Sequence, residues 1–335
     1  MAELKLNIFN EKALKAVQHL RKGEHRLGQK IKLLENDLDE LSTLSKKGVR
    51  FAILGVPESI GPMGNGGLGG AENGYEAFLK SFVNVQSNRF LDGKEVVLIG
   101  HVELTDLQQQ ADELDKTSDY FLQKLHLLCE AVDERVEVVV SQIARHGLTP
   151  IVIGGGHNNS LPIISGIASH LGKLNVLNID AHADYRSLEG RHSGNGFSYA
   201  VQRQVLNKYA VFGLHQNYNG EHMLKAMDAS GMVKSTFMED IQYADKQLLD
   251  SIEFLEGEEK MGLEIDMDAI RYMPSSAISP SGFSLEQMRY FLRKVSQAMH
   301  PCYLHLAEAA PSNEDEQKLV GKALSYLVTD FIKNA

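Results

Sequence analysis

Three short stretches hold residues whose types and spacing suit one kind of chemistry. "DAHAD" places Asp180, His182 and Asp184 at alternate positions, "EIDMD" does the same with Asp266 and Asp268, and "GGGHN" supplies His157 after a glycine run. In extended backbone, residues two apart face the same way, so each set can converge. Four carboxylates brought together repel one another and resist ionising together. A pair of divalent cations removes that difficulty. Two imidazoles with four carboxylates and no thiolate suit Mn2+ best among the common metals, ahead of Zn2+ and Fe2+. These residues point to a dinuclear metal site holding two Mn2+ per chain.

Something must bring the three stretches together, and each lies at the end of a short apolar, β-rich run. Such runs recur at 51–56, 95–100, 150–155, 174–180, 209–214, 232–236, 261–267 and 302–307. Several are apolar on both faces, as buried parallel strands must be. Helical segments lie between many of them, including 132–147 and 284–299, and Ser284 with Gln287 makes a capping box for the latter. This alternation predicts an α/β fold with a doubly wound parallel sheet and helices on both faces. Ligands in such sheets bind outside the carboxyl ends of the strands, where all three stretches fall. Ahead of this domain, taken as 48–335, Leu27, Ile31, Leu34, Leu38 and Leu41 stand at irregular helical spacing in a charged segment. They predict an N-terminal helical extension over 1–47. The glycine-rich stretch 61–74 has neither a well-placed G-x-G-x-x-G nor a P-loop lysine, so it is expected to be a mobile loop on the substrate side.

Composition narrows the partners. A chain of 335 residues with 43% hydrophobic and 23% charged residues is of the soluble globular kind. Its net charge of −10 excludes a nucleic-acid partner. Two cysteines in apolar contexts read as reduced core thiols. With no signal-peptide core and no stretch of membrane length, the expectation is a cytoplasmic protein that engages no membrane.

"GGGHN", "DAHAD" and "EIDMD", in this order and rough spacing, resemble the three signatures of the ureohydrolase family of arginase, agmatinase and formimidoylglutamase. The resemblance spans about residues 50–332. It implies a three-layer α/β/α fold around an eight-stranded, mostly parallel sheet, two Mn2+ ions and a homo-oligomer. Carried onto this chain, one ion would be held by His157, Asp180, Asp184 and Asp266. The other would be held by His182, Asp180, Asp266 and Asp268, with Asp180 and Asp266 bridging. A water between two cations loses a proton near neutral pH and can attack the carbon of an amidine or guanidinium. Glu308, in "LHLAEAAPSN", would pair with that planar cation. Three positions depart from the family. Phe197 stands where arginase-like members carry a histidine after S-G-N, leaving nearby His192 as the candidate catalytic acid. Glu264 replaces a usual serine, and "AIRYMPSSAISPSG" follows Asp268 in place of Asp-Pro.

The loop "YRSLEGRHSGNGF" would meet the substrate's far end, with Arg186, Arg191, Ser193 and Asn195 as candidate binding residues. Two guanidinium forks suit two carboxylates and would repel an ammonium tail. The run "LEGRHSGNGFSYA" is also similar to formimidoylglutamase-type members. The expected reaction is therefore hydrolysis of N-formimidoyl-L-glutamate to L-glutamate and formamide, a step of histidine breakdown. Two alternatives stand beside it. One is another ureohydrolase, acting on arginine or a guanidino acid. The other is a metal-binding homologue without turnover, which Phe197 favours. "EIDMD" argues against the single-zinc deacetylases of related topology.

Overall fold

Ile151 and Ile153 enter one apolar cluster and Val152 the other. Ile53 is set against Ala52 and Leu54 in the same way, and Phe212 against Val211. Each run is buried on both faces, which is why it reads as nearly continuous apolar sequence. The computed structural model describes residues 4–335. Its strands are β1 (Leu6–Ile8), β2 (Lys32–Leu33), β3 (Phe51–Gly55), β4 (Val96–Val102), β5 (Thr149–Ile153), β6 (Leu174–Ile179), β7 (Leu206–Leu214), β8 (Val233–Phe237), β9 (Lys260–Asp266) and β10 (Leu304–Ala307). They form one sheet in the order β1-β4-β3-β5-β10-β9-β6-β7-β8, with β2 also on β4. The β1–β4 pair is antiparallel, and the other pairings are parallel.

One face of the sheet is covered by the helices Gly74–Phe82, Ala244–Leu255, Leu285–Met299 and Glu314–Asn334. The other carries Glu40–Lys46, Phe121–Arg145, Ser160–Leu171 and Gly196–Gln202. The fold is the expected three-layer α/β/α arrangement, and the eight expected runs are β3 to β10. Ser284 caps its helix by accepting from the Gln287 N–H at 3.2 Å, while Gln287 Oε1 accepts from the Ser284 N–H at 2.9 Å. Both cysteines are free, and among the described residues no helix is long and apolar enough to cross a membrane.

Among the described residues the sheet has ten strands rather than eight, because the segment expected to be a helical extension supplies β1 and β2. Of the described residues there, only Glu11–Val17 and Glu40–Lys46 are α-helical. The reason lies in where its leucines go. Leu27 and Ile31 enter the core on one face of the sheet, whereas Leu34, Leu38 and Leu41 enter the core on the other. One straight helix cannot serve both sides, so the chain crosses the sheet edge. In crossing, it covers the free edge of β4, which would otherwise be left open for pairing.

Connectivity creates the crevice. The chain passes from β5 to β6, which are not neighbours, and β9 and β10 later fill the gap between them. The carboxyl ends of β5, β10, β9 and β6 therefore lie side by side at the centre of the sheet, with one functional stretch behind each.

Candidate metal centre

After β5, Gly154 and Gly155 take φ of +87° and +69°, a left-handed pair that residues with a Cβ adopt only under strain. The turn delivers His157 just ahead of the helix Ser160–Leu171. A buried carboxylate that sequence reasoning missed, Glu58, braces this turn. Its Oε1 accepts from Gly156 N at 2.8 Å and Asn159 Nδ2 at 2.6 Å, and its Oε2 from Gly61 N at 3.1 Å.

The two acidic pairs converge by a route other than the extended backbone expected from their spacing. Asp180 Oδ1 accepts from His182 N at 2.7 Å, and Asp266 Oδ1 accepts from Asp268 N at 2.8 Å. Each strand thus ends in a turn closed by its own aspartate. In each, Oδ1 closes the turn and Oδ2 faces His157. Asp184 and Glu308, which complete the site, have φ of +46° and +64°. Backbone of this kind is strained and persists where the surroundings impose it.

His157 Nδ1 lies 2.9 Å from Asp184 Oδ2, 3.1 Å from Asp180 Oδ2 and 3.3 Å from Asp266 Oδ2. His182 Nδ1 lies 3.0 Å from Asp268 Oδ2 and 3.7 Å from Asp180 Oδ1. The two groups share Asp180. Both nitrogens of His157 and Asp268 Oδ1 are buried without a hydrogen-bond partner. Orphaned donor atoms facing carboxylate oxygens in a buried pocket are what cations would satisfy, so these residues fit two of them.

Electrostatics agree. Burial works against charge on both imidazoles, yet the surrounding carboxylates raise His157 and His182 well above the ordinary histidine range. Burial and the neighbouring Asp180 push Asp184 up to about 6, and burial with Asp268 and Asp180 lifts Asp266 far above its usual value. Protons compete for the places that two dications would fill.

A further layer of polar residues stands behind the cluster, of which the sequence singles out Glu264 alone and without a role. Asn178 Nδ2 donates to Asp180 Oδ2 at 2.9 Å and lies 3.0 Å from Tyr209 Oη, which donates to Ala183 O at 2.9 Å. Tyr303 Oη donates to Glu264 Oε1 at 2.7 Å, and His305 Nδ1 lies 2.5 Å from Glu264 Oε2. The unassigned charge of Glu264 therefore has partners: burial opposes it, but His305 and His157 hold the carboxyl down to about 2. Phe197 is buried, stacked on Tyr209 with ring centres 4.2 Å apart and edge-on to His157 at 5.5 Å. It is a wall behind the imidazole.

In front of the cluster opens a cavity of about 490 Å³. His182, Asp184, Asp266, Asp268 and Glu308 line its floor, and Arg186, Ser193, Asn65, Tyr218, His222 and Ser276 line the rest. The glycine-rich segment borders it through Pro62, Asn65, Gly66 and Gly67. Glu308 is fixed by two donors, His157 N to Oε1 at 2.7 Å and the Ser276 hydroxyl to Oε2. Burial pushes its carboxyl up to about 8 against those bonds. Ser276 comes from the divergent segment after Asp268, so that departure brings a partner for Glu308.

Three of the expected substrate or acid residues lie elsewhere. Arg191 is buried and its donors are taken. Nε meets Asp133 Oδ2 at 2.7 Å, Nη1 meets Asn195 Oδ1 at 2.6 Å and Nη2 meets Asn158 O at 2.8 Å. Asn195 is absorbed in the same network, its Nδ2 donating to Gly190 O at 2.8 Å. His192 Nδ1 accepts from Gly194 N at 3.1 Å, and its Nε2 lies 3.2 Å from Glu189 Oε1. Burial and then Arg186 drive its pKa down to about 4, leaving it neutral and committed to the loop. None of the three lines the cavity. Arg186 does, half-exposed and paired with Glu189 at 2.9 Å, and so does Ser193.

The same fold recurs in known proteins. A formimidoylglutamase of Macrococcus caseolyticus (strain JCSC5402) is 28% identical over 291 residues, covering 82% of this chain and 83% of its own. The crystal structure of formimidoylglutamase from Bacillus subtilis matches with a TM-score of 0.73 at 14% identity, over 94% of this chain and 93% of that one. Trypanosoma cruzi formiminoglutamase, crystallised with Mn2+, matches with a TM-score of 0.70 at 18% identity, over 92% and 98%. The family model matches residues 49–332, from just before β3 to the last helix, and takes in every strand that bears the cluster. The chain belongs to the arginase family.

Proposed function

We propose that this chain hydrolyses a C–N bond of a linear amidine, with N-formimidoyl-L-glutamate as substrate and L-glutamate and formamide as products. The observation that carries this reading is the meeting of His157, Asp180, Asp184 and Asp266 at one point, and of Asp180, His182 and Asp268 at a second, beneath a cavity that exposes Glu308. Two divalent cations there, Mn2+ in this reading, supply Lewis acidity and bring a water's pKa toward neutrality. Asp180, which belongs to both groups, would be shared between them, and the family resemblance gives Asp266 the same role.

The chain's own residues do the rest. Glu308, immobilised by Ser276 and His157 N, offers a carboxylate to the planar amidinium, whose positive charge favours the ionised form. Arg186 turns from Glu189 to a substrate carboxylate, and Ser193 and Asn65 supply neutral donors beside it. The departing nitrogen needs a proton. Phe197 has no proton to give and His192 lies off the cavity, so this reading assigns the proton to His222, the imidazole of the cavity lining outside both ligand groups. The formimidoylglutamase relatives support the choice of substrate.

One observation favours a second reading. Among the described residues, Arg186 is the one arginine lining the cavity, which suits a guanidino acid with a single carboxylate. Assay of the Mn2+-loaded protein with formimidoylglutamate, arginine, agmatine and guanidinobutyrate separates the cases. Formamide and glutamate from the first compound are expected. Urea from guanidinobutyrate alone would move the assignment to a guanidino acid. No product from any of them would leave a metal-binding homologue without turnover.

A further inference from the structure

Glu264 is a buried carboxylate that the reaction described above does not use. Burying such a charge costs several kcal/mol unless its oxygens are satisfied, so its surroundings should be built for it. They are. Tyr303 Oη meets Oε1 at 2.7 Å and His305 Nδ1 meets Oε2 at 2.5 Å, both from the segment of β10 beside β9. Gly262 makes the first contact possible, since a Cβ there would lie 2.0 Å from the Tyr303 ring. The carboxylate is thus held at both oxygens before it meets anything else.

What it is held against is His157. Glu264 Oε2 lies 3.5 Å from His157 Nε2, which has no hydrogen-bond partner, while Nδ1 of the same ring faces Asp180, Asp184 and Asp266. A neutral imidazole that gives one nitrogen to a cation keeps its proton on the other, and the acceptor at that second nitrogen decides which way round the ring sits. At 3.5 Å the contact is longer than a good hydrogen bond, so the negative charge of the acceptor matters more than its exact direction.

We propose that Glu264, clamped by Tyr303 and His305, is a positioning residue that keeps the His157 proton on Nε2 and so presents Nδ1 to a divalent cation. The proposal rests on the reading of His157 as a ligand. It is tested by stepwise binding of Mn2+ alone to the full-length protein, in competition with a chelator, together with melting of the metal-free form. In Glu264→Gln, one of the two binding steps should weaken roughly 10- to 100-fold and the other stay as in the parent. His157→Ala should remove that same step, and Tyr303→Phe should weaken it by a smaller factor. A Glu264→Gln protein that melts lower without metal, yet binds both ions as the parent does, would show a purely structural role and overturn the proposal. If Glu264→Gln does not fold, unchanged binding in Tyr303→Phe overturns it instead. A parent that binds no Mn2+ overturns the metal-centre reading and this role together, whereas a parent with two ions and an indifferent Glu264 overturns this role alone.

Discussion

Asp180 and Asp266 are built alike on two strands, each closing its own turn with Oδ1 and facing His157 with Oδ2. Replacing Asp266 with Ala should both open its turn and remove a shared ligand, so the purified variant should hold fewer than two metals by elemental analysis and lose activity. Full occupancy would remove the shared role. The raised carboxyl of Asp184, at about 6, sets the direction of the pH dependence. A protonated carboxyl or imidazole is a poor ligand, and His157, His182 and Asp266 are raised as well, so Mn2+ affinity should fall as pH is lowered from the alkaline side and fall further as pH drops through about 6. Affinity unchanged down to about pH 5 would contradict this. Glu308→Gln should keep its metals while kcat/KM drops roughly 100-fold, because a charge-assisted pair to the reacting group is lost. Equal kcat/KM in that variant would refute the pairing. The metal-type residues were legible because three such fragments, each weak alone, stand together at strand ends and between them offer two imidazoles and four carboxylates. Tyr303, His305 and Asn178 were not, since within a strand they look like ordinary alternating residues. Arg191 misled because sequence shows a charge on a loop without showing Asp133 waiting on a distant helix.

The loop after β6 is an element with its own anchor. Arg191 and Asp133 form a buried pair that ties residues 186–195 to the helix Phe121–Arg145, with side chains each only 2% exposed. Removing one partner strands the other charge in the core. Asp133→Ala should therefore destabilise the protein by about 3–5 kcal/mol, against less than about 1 kcal/mol for an exposed pair. Denaturant unfolding measures it, and a loss below about 1 kcal/mol would place the pair among the ornaments of the surface. The strands were legible as elements because burial on both faces leaves continuous apolar runs. The N-terminal strands were not. Leu27 to Leu41 keep a near-helical spacing by serving two cores in turn, and periodicity alone cannot tell one stripe from two.

For the molecule as a whole, the centre joins the carboxyl ends of β5, β6, β9 and β10, which are far apart in sequence and adjacent in the sheet. Cations bound there would favour the folded state, since the unfolded chain has no such site. At a hundredfold excess over its Kd, each ion should add about 2.7 kcal/mol of stability, so a chelator should lower Tm and added Mn2+ restore it. The order of the strands could be inferred from the family resemblance alone, because pairing across β5 and β6 leaves no local trace in the residues. The most direct test is an anomalous difference map from crystals grown with Mn2+ and recorded at the manganese edge. Two peaks are expected, one against His157 Nδ1 and one against His182 Nδ1, both touching Asp180 and Asp266. A single peak, or peaks away from these four residues, would contradict the two-cation centre.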